Sequence, residues 1–310
     1  MKKCFFSVFA VVVVNLVLVM GCSPDAHFVP KGELQKEQHF GVYTVRTYRE
    51  SFGPGASLTI ARKGTVVYAK DGFCFFSMDD VPGEDTRIRM GDDITGDGEP
   101  NLVIEHWSGG AHCCFDYYIF SIGDDFRLLD IIETQHGCKG FEDVDGDGAL
   151  ELDALDWTFA YWKACFAASP APRVILKFRD GKYRVAPELM RTTPPSEDEE
   201  RTLAEAVAQD ESWNQGNVPP ALWGHMLDLM YSGHAPLAWE FFDQAWPEGF
   251  EDKFGESKEQ FKADFLHAIS QSPYWPAIKK AFYSDGHGEP GEKRPTSRRP
   301  GRRRGPGFAP

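Results

Sequence analysis

The sequence predicts a mainly β fold, antiparallel and built on a repeated unit, followed by a small α-helical domain. Three observations lead there. Between Phe40 and Met190, short runs of alternating apolar and polar residues are separated by Gly- and Asp-containing turns, the period-two pattern of half-buried strands. The segment Asp93 to Leu102 returns at an offset of fifty as Asp143 to Leu152, so one supersecondary unit occurs at least twice. From residue 197 onward the apolar residues recur at the three- and four-residue intervals of packed helices. With 310 residues, 42% of them hydrophobic and 26% charged, the chain has a globular composition and enough length for a sizeable core.

The amino terminus sets the compartment. Lys2 and Lys3 precede an apolar stretch from Cys4 to Met20, broken only by Ser7 and Asn15, which is the layout of an export signal. The stretch ends at Val19-Met20-Gly21-Cys22 and there resembles a bacterial lipoprotein signal. The resemblance implies that residues 1–21 are removed, that the Cys22 thiol carries a diacylglyceryl group, and that residues 22–39 tether a soluble body to the membrane. That family uses Asp after the cysteine to retain lipoproteins at the inner membrane. Ser23 in that place implies the outer membrane or the periplasmic side, in a host that has one. Each buried methylene of the acyl chains contributes ~0.8 kcal/mol of anchoring. An uncleaved anchor helix and an ordinary secretory signal are the other readings of the same stretch. After residue 21 no apolar run is long enough to cross a bilayer, which excludes a polytopic membrane protein.

Charge excludes another class. The formal charge is −14, and loss of residues 1–21, with their two lysines, makes it −16. The segment from Asp285 to the end is basic, with seven Lys and Arg against three acidic residues, so the body from Cys22 to Ser284 carries −20. A nucleic-acid partner needs a basic footprint to displace counterions from phosphates, and this body has the opposite sign. Residues 284–310 are Arg, Pro and Gly with almost nothing apolar; they are expected to be disordered, a solvated tail or a ligand for an anionic envelope polymer.

Within residues 40–190 three hairpins are legible. Leu58 and Ile60 alternate with polar neighbours, Lys63-Gly64 turns, and Val66 and Tyr68 run back. Tyr117 to Ile122, Gly123-Asp124-Asp125 and Phe126 to Ile132 make the second; Val174 to Phe178, Asp180-Gly181 and Tyr183 to Val185 make the third, with an Asp-Gly pair suited to a primed turn. Residues 191–196 break the pattern as a linker. Ser196 with Glu199 then forms a capping box that opens the helical domain, residues 197–283. Leu222, Met226, Leu229 and Met230 share one helix face, Leu237, Ala238, Phe241, Phe242 and Ala245 another, and Phe261, Phe265, Ala268 and Ile269 a third. Gly233, Ala238, Phe242 and Ala245, with a turn at Ser232-Gly233-His234 and a stop at Pro247, resemble a tetratricopeptide hairpin. Trp213, Trp223, Trp239, Trp246 and Trp275 are assigned to the helical core in preference to an aromatic groove for a peptide or glycan.

The repeat carries the chemistry. Asp93, Thr95 and Asp97 followed by Gly98, and Asp143, Asp145 and Asp147 followed by Gly148, place oxygens at alternate positions of a turning chain, as a hard cation requires. A helical EF-hand needs Glu at position 12, where these loops have Ile104 and Ala154, so it is excluded. Position 9 instead holds Asn101 or Glu151 and leads into strand-like residues. These loops resemble those of FG-GAP or VCBS repeats, which in integrin α subunits hold calcium within propeller blades. The resemblance covers residues 93 to about 185, and the second loop is the better match. It implies propeller-blade-like units with calcium as cofactor. Asp143, Asp145, Asp147 and Glu151 would be side-chain ligands and Ala149 a carbonyl ligand; Asp93, Thr95, Asp97 and Asn101 fill the equivalent places, with Glu99 at the carbonyl position. Four carboxylates bind calcium more tightly than two carboxylates, a hydroxyl and an amide, so the second site is expected to be the stronger. A metal-free Asp-Gly turn is the other reading. About three units, counting a divergent copy without a loop in residues 40–92, are too few for the usual closed ring of four to eight blades.

A second group is Ser108-Gly109-Gly110-Ala111-His112-Cys113-Cys114, flanked by His106, His136 and Cys138. Neither the Cys-x-x-Cys nor the His-x-x-x-His spacing of a soft-metal site occurs there. Cys74, Cys113, Cys114, Cys138 and Cys165 are an odd number in an oxidising compartment, so disulfides are expected with at least one thiol left over; free thiols and a soft-metal site including His112 are the alternatives. The function expected is an exported, lipid-anchored calcium module for binding or assembly at the cell envelope, its partner an unidentified protein or glycan. An envelope hydrolase or metal- or thiol-dependent enzyme using His112 and Cys113 is the alternative.

Overall fold

The structure, a computed structural model, describes residues 28–77, 88–111 and 113–283. The export signal, Cys22, His112, the basic tail and part of the expected third repeat lie outside the described residues. Local turn chemistry explains the hairpins. Lys63 and Gly64 have φ of 49° and 83°, and Asp180 and Gly181 have 51° and 78°, the paired left-handed conformations that a two-residue primed turn needs.

Among the described residues twelve strands form three four-stranded antiparallel sheets, each a simple meander. Sheet I holds β1 (Glu33–Phe40), β2 (Tyr43–Arg49), β3 (Ala56–Arg62) and β4 (Thr65–Gly72). Sheet II holds β5 (Cys74–Ser77), β6 (Asn101–Trp107), β7 (Phe115–Ile122) and β8 (Phe126–Gln135), and sheet III holds β9 (Cys138–Glu142), β10 (Glu151–Leu155), β11 (Arg173–Arg179) and β12 (Lys182–Val185). The sheets do not close into a barrel. The two units detected in the sequence are four-stranded meanders, sheets II and III, and sheet I has the same strand order without an acidic loop. Two boundaries differ from expectation. β1 occupies residues expected as tether, because Glu-Leu-Gln-Lys-Glu-Gln-His-Phe is too polar to read as a strand and is defined instead by pairing along β2. Cys74–Ser77, counted within the divergent copy, pairs with β6 and belongs to sheet II.

Alternation along β6 and β7 makes sheet II the middle layer. Leu102, Ile104, Tyr118 and Phe120 pack with Val45, Leu58 and Ile60 of sheet I. Val103, Tyr117 and Ile119 join a second cluster that continues through Leu152, Val174 and Leu176 of sheet III into the helices. These are α1 (Pro187–Met190), α2 (Glu197–Ala208), α3 (Glu211–Asn214), α4 (Pro220–Tyr231), α5 (Ala235–Ala245), α6 (Lys258–Ser270) and α7 (Trp275–Tyr283). The capping box at α2 is formed, with Ser196 Oγ accepting from Glu199 N and Glu199 Oε2 accepting from Ser196 N. All five tryptophans of this region are buried, which makes them core and not a groove. The helices are not walled off from the sheets: Phe159 packs on Phe265, and Trp162 on Trp223 and Phe261, at ring separations of 5.3–5.4 Å. Among the described residues no helix is long and apolar enough to cross a membrane.

Candidate metal site

Each acidic loop sits at the same place in its meander, on the connection into the second strand. The two loops have one hydrogen-bond frame. Asp93 Oδ1 accepts from Gly96 N and its Oδ2 from Gly98 N, both at 2.8 Å. Asp143 does the same with Gly146 N at 2.7 Å and Gly148 N at 3.1 Å. Asp97 Oδ1 accepts from Glu99 N, and Asp147 Oδ1 from Ala149 N, each at 3.0 Å. At position 9, Asn101 Oδ1 takes Ile94 N and Glu151 Oε2 takes Val144 N, each at 2.9 Å. Gly96 and Gly98 have φ of 70° and 85°, and Gly146 and Gly148 have 76° and 90°; a side chain at any of the four would strain the left-handed backbone. The loops also touch, since Leu150 N donates to Ile94 O at 2.8 Å.

Their interiors differ. In the first loop Asn101 is fully buried and its amide is spent on the chain, with Oδ1 also accepting from Thr95 N and Nδ2 donating to Phe120 O. Thr95 Oγ1 bonds inward to Asp93 and Asn101, so this loop is satisfied as a polar turn. In the second loop Asp143, Asp145 and Glu151 bring carboxylate oxygens within 4.8 Å of one another, a group able to hold a metal ion. Among the described residues it is the one cluster of three or more His, Cys, Asp or Glu side chains so arranged. Position 5, Asp147, is drawn in through a residue that loop spacing alone did not reveal. Lys177, on β11, places Nζ 2.7 Å from Asp145 Oδ2, 2.6 Å from Asp147 Oδ2 and 2.9 Å from Glu151 Oε1. Glu151 is 0% exposed, and its Oε1 faces the Lys177 ammonium as an ion pair at 2.9 Å. Burial works against the Lys177 charge, but pairing with Asp145, Asp147 and Glu151 outweighs it and raises the pKa. The Lys177 ammonium, helped by Ala149 N, holds the Asp147 carboxyl below its ordinary value.

Among the described residues the sulfur and imidazole groups do not converge on a metal-binding cluster. Cys113 and Cys114 are joined to each other by a disulfide across a cis peptide, leaving Cys74, Cys138 and Cys165 as thiols. Both precede β7, in a turn closed by Ser108 N to Cys114 O and Cys114 N to Ser108 Oγ. Burial pushes the Cys74 thiol up, against the opposing effect of Arg49. Cys138 donates to Tyr117 Oη, which donates to Glu105 Oε2 at 2.7 Å. His106 pairs with Asp116 across β6 and β7 at 3.0 Å, and His136 packs among Trp157 and Phe166.

No family model matches the chain, and no solved structure matches it. Over 81 residues it is 36% identical to the uncharacterized protein y4bJ of Sinorhizobium fredii, a match covering 26% of this chain and 13% of that protein. Over 123 residues it is 28% identical to the probable thylakoid lumen protein sll0997 of Synechocystis, covering 37% of this chain and 36% of that protein. The chain thus spans well under half the length of these curated relatives.

Proposed function

We propose that this chain is an exported, lipid-anchored calcium-binding module that serves binding or assembly at the cell envelope. The observation that carries the reading is the second loop: a glycine-shaped turn whose backbone is organised by Asp143 and in which Asp143, Asp145 and Glu151 bring carboxylate oxygens within 4.8 Å of one another. An all-oxygen, carboxylate-rich set on an irregular loop suits calcium better than zinc or copper, which favour nitrogen and sulfur, or magnesium, which demands a stricter octahedron. Four carboxylates against one ammonium leave three negative charges uncompensated, so the loop retains a demand for a cation. The export signal ending at Gly21-Cys22 supports an extracytoplasmic location, as does similarity to a protein described as a probable thylakoid lumen protein. A disulfide at Cys113 and Cys114 fits an oxidising compartment.

Calcium there would pin the connection between β9 and β10 and, through Leu150 N to Ile94 O, brace the first loop as well. Titration of chelator-treated protein with calcium chloride is expected to raise the melting temperature with half-saturation at about 10⁻⁴ to 10⁻³ M, the range of extracellular modules. Asp145→Ala is expected to abolish the rise and Asp97→Ala to leave most of it. Absence of bound ion in equilibrium dialysis at millimolar calcium rejects the reading.

A further inference from the structure

The cross-strand pair at position 9 differs between the two loops. In sheet II, Asn101 on β6 stands opposite Ser121 on β7. In sheet III, Leu152 stands opposite Leu176 in the same antiparallel arrangement, which makes Glu151 and Lys177 the corresponding pair. An amide and a hydroxyl in one copy thus become a carboxylate and an ammonium in the other.

Lys177 is 9% exposed, an unusual burial for a lysine, and its ammonium is surrounded by oxygens that belong to the loop. Two of its three partners, Asp145 and Glu151, are members of the group able to hold a metal. The ammonium and a divalent ion therefore ask for the same atoms. The wholly buried Glu151 meets the ammonium through Oε1 at 2.9 Å, as an ion pair.

We propose that Lys177 is a built-in competitor for the metal: it offsets one of the second loop's four carboxylate charges when calcium is absent and withdraws its ammonium when calcium binds. The inference rests on the calcium reading of the same loop. It makes metal binding an exchange of one cation for another, which weakens the apparent affinity. The four-methylene stem of a lysine is long enough to carry the ammonium out of the loop while its apolar part stays packed.

Two measurements on the full chain test this. The first follows acetylation of Lys177 by acetic anhydride, quantified by peptide mass spectrometry, with Lys63 in its exposed turn as internal reference. Saturating calcium chloride is expected to speed Lys177 modification several-fold while Lys63 stays constant. Unchanged or slower modification, in protein shown by dialysis to bind calcium, overturns the proposal. The second compares the wild type with Lys177→Met, which keeps the stem and removes the charge. The variant is expected to bind calcium about tenfold more tightly, since the net charge of a ligand set tunes affinity over decades. It should also melt at a lower temperature than the wild type when metal-free. Equal or weaker binding by a folded Lys177→Met chain counts against the competitor role. The outcomes separate the two readings. Binding by the wild type with neither Lys177 measurement moving rejects only the competitor. Binding by Lys177→Met alone upholds the competitor and rejects native calcium binding, and no binding by either chain rejects both.

Discussion

Asp156 is 1% exposed, yet its carboxylate accepts from the hydroxyls of Tyr231 and Ser272 on one oxygen and from Thr158 N and Oγ1 on the other. Tyr231 lies 75 residues away in α4, and Ser272 lies 116 residues away in the α6–α7 connection, so this one side chain fastens the end of β10 to the helical layer. Asp156→Ala leaves two buried hydroxyls without their acceptor. Hydrogen bonds to a charged group contribute ~1.5–3 kcal/mol each, so the loss is expected to reach at least ~3 kcal/mol. In a chain of this size that lowers the melting temperature by roughly 5 °C. Differential scanning calorimetry at neutral pH checks it; a shift under about 2 °C contradicts the assignment. Nothing local in the sequence announces Asp156, because what makes it matter is spread over three distant elements. Asp143 is the opposite case: its role in the turn is set within five residues and could be read directly from the spacing of Asp and Gly.

Elements were legible where their determinants are local. The hairpins β3–β4 and β11–β12 follow from two-residue turns that only a few residue types make, and the α2 cap follows from Ser196 and Glu199 alone. β1 was not legible, since its polar residues show no alternation and only the register with β2 defines it as a strand. Lys177 stands between the two. The apolar run Val174-Ile175-Leu176 marks a buried strand, but that Lys177 faces the acidic loop depends on the β10–β11 register, which the sequence does not display. A prediction at this scale concerns Gly181, whose φ of 78° follows Asp180 at 51°. Gly181→Val forces a β-branched residue into the left-handed region and is expected to cost about 1–2 kcal/mol. The β11–β12 pairing that positions Lys177 should weaken with it. Urea unfolding is expected to show a lower midpoint with an unchanged slope, whereas Asp180→Asn, which tolerates the same conformation, should leave the midpoint in place.

For the whole molecule the decisive fact is that sheets II and III share one buried cluster with the helices. The composition break near residue 191 marks a change of secondary structure, while the packing runs across it, because Phe159 and Trp162 of the sheet region insert among Trp223, Phe261 and Phe265. Several tyrosines are buried along this continuous core. Burial pushes the hydroxyl pKa of Tyr231 well above 10, with the neighbouring Asp156 charge adding to it; burial first and then Cys138 and Glu105 do the same for Tyr117, and burial alone dominates for Tyr283. In the unfolded chain all three titrate near pH 10. Their folded pKa values are raised, so the stability they contribute is whole below pH 10 and is lost as the pH climbs above it toward the folded values. Each removes ~1.4 kcal/mol per pH unit over that window, and three together remove about 4 kcal/mol per unit, against a total stability of order 5–15 kcal/mol. Cooperative alkaline unfolding is therefore expected about one to four units above pH 10. Tyrosinate absorbance and far-ultraviolet circular dichroism should change together, since the hydroxyls cannot ionise until the shared core opens. Tyr283→Phe, which removes one of the three titrating groups, should make the alkaline transition shallower. Tyrosinate signal from Tyr117 and Tyr231 appearing while the circular dichroism is still native would show instead that the sheets and helices come apart below the unfolding transition.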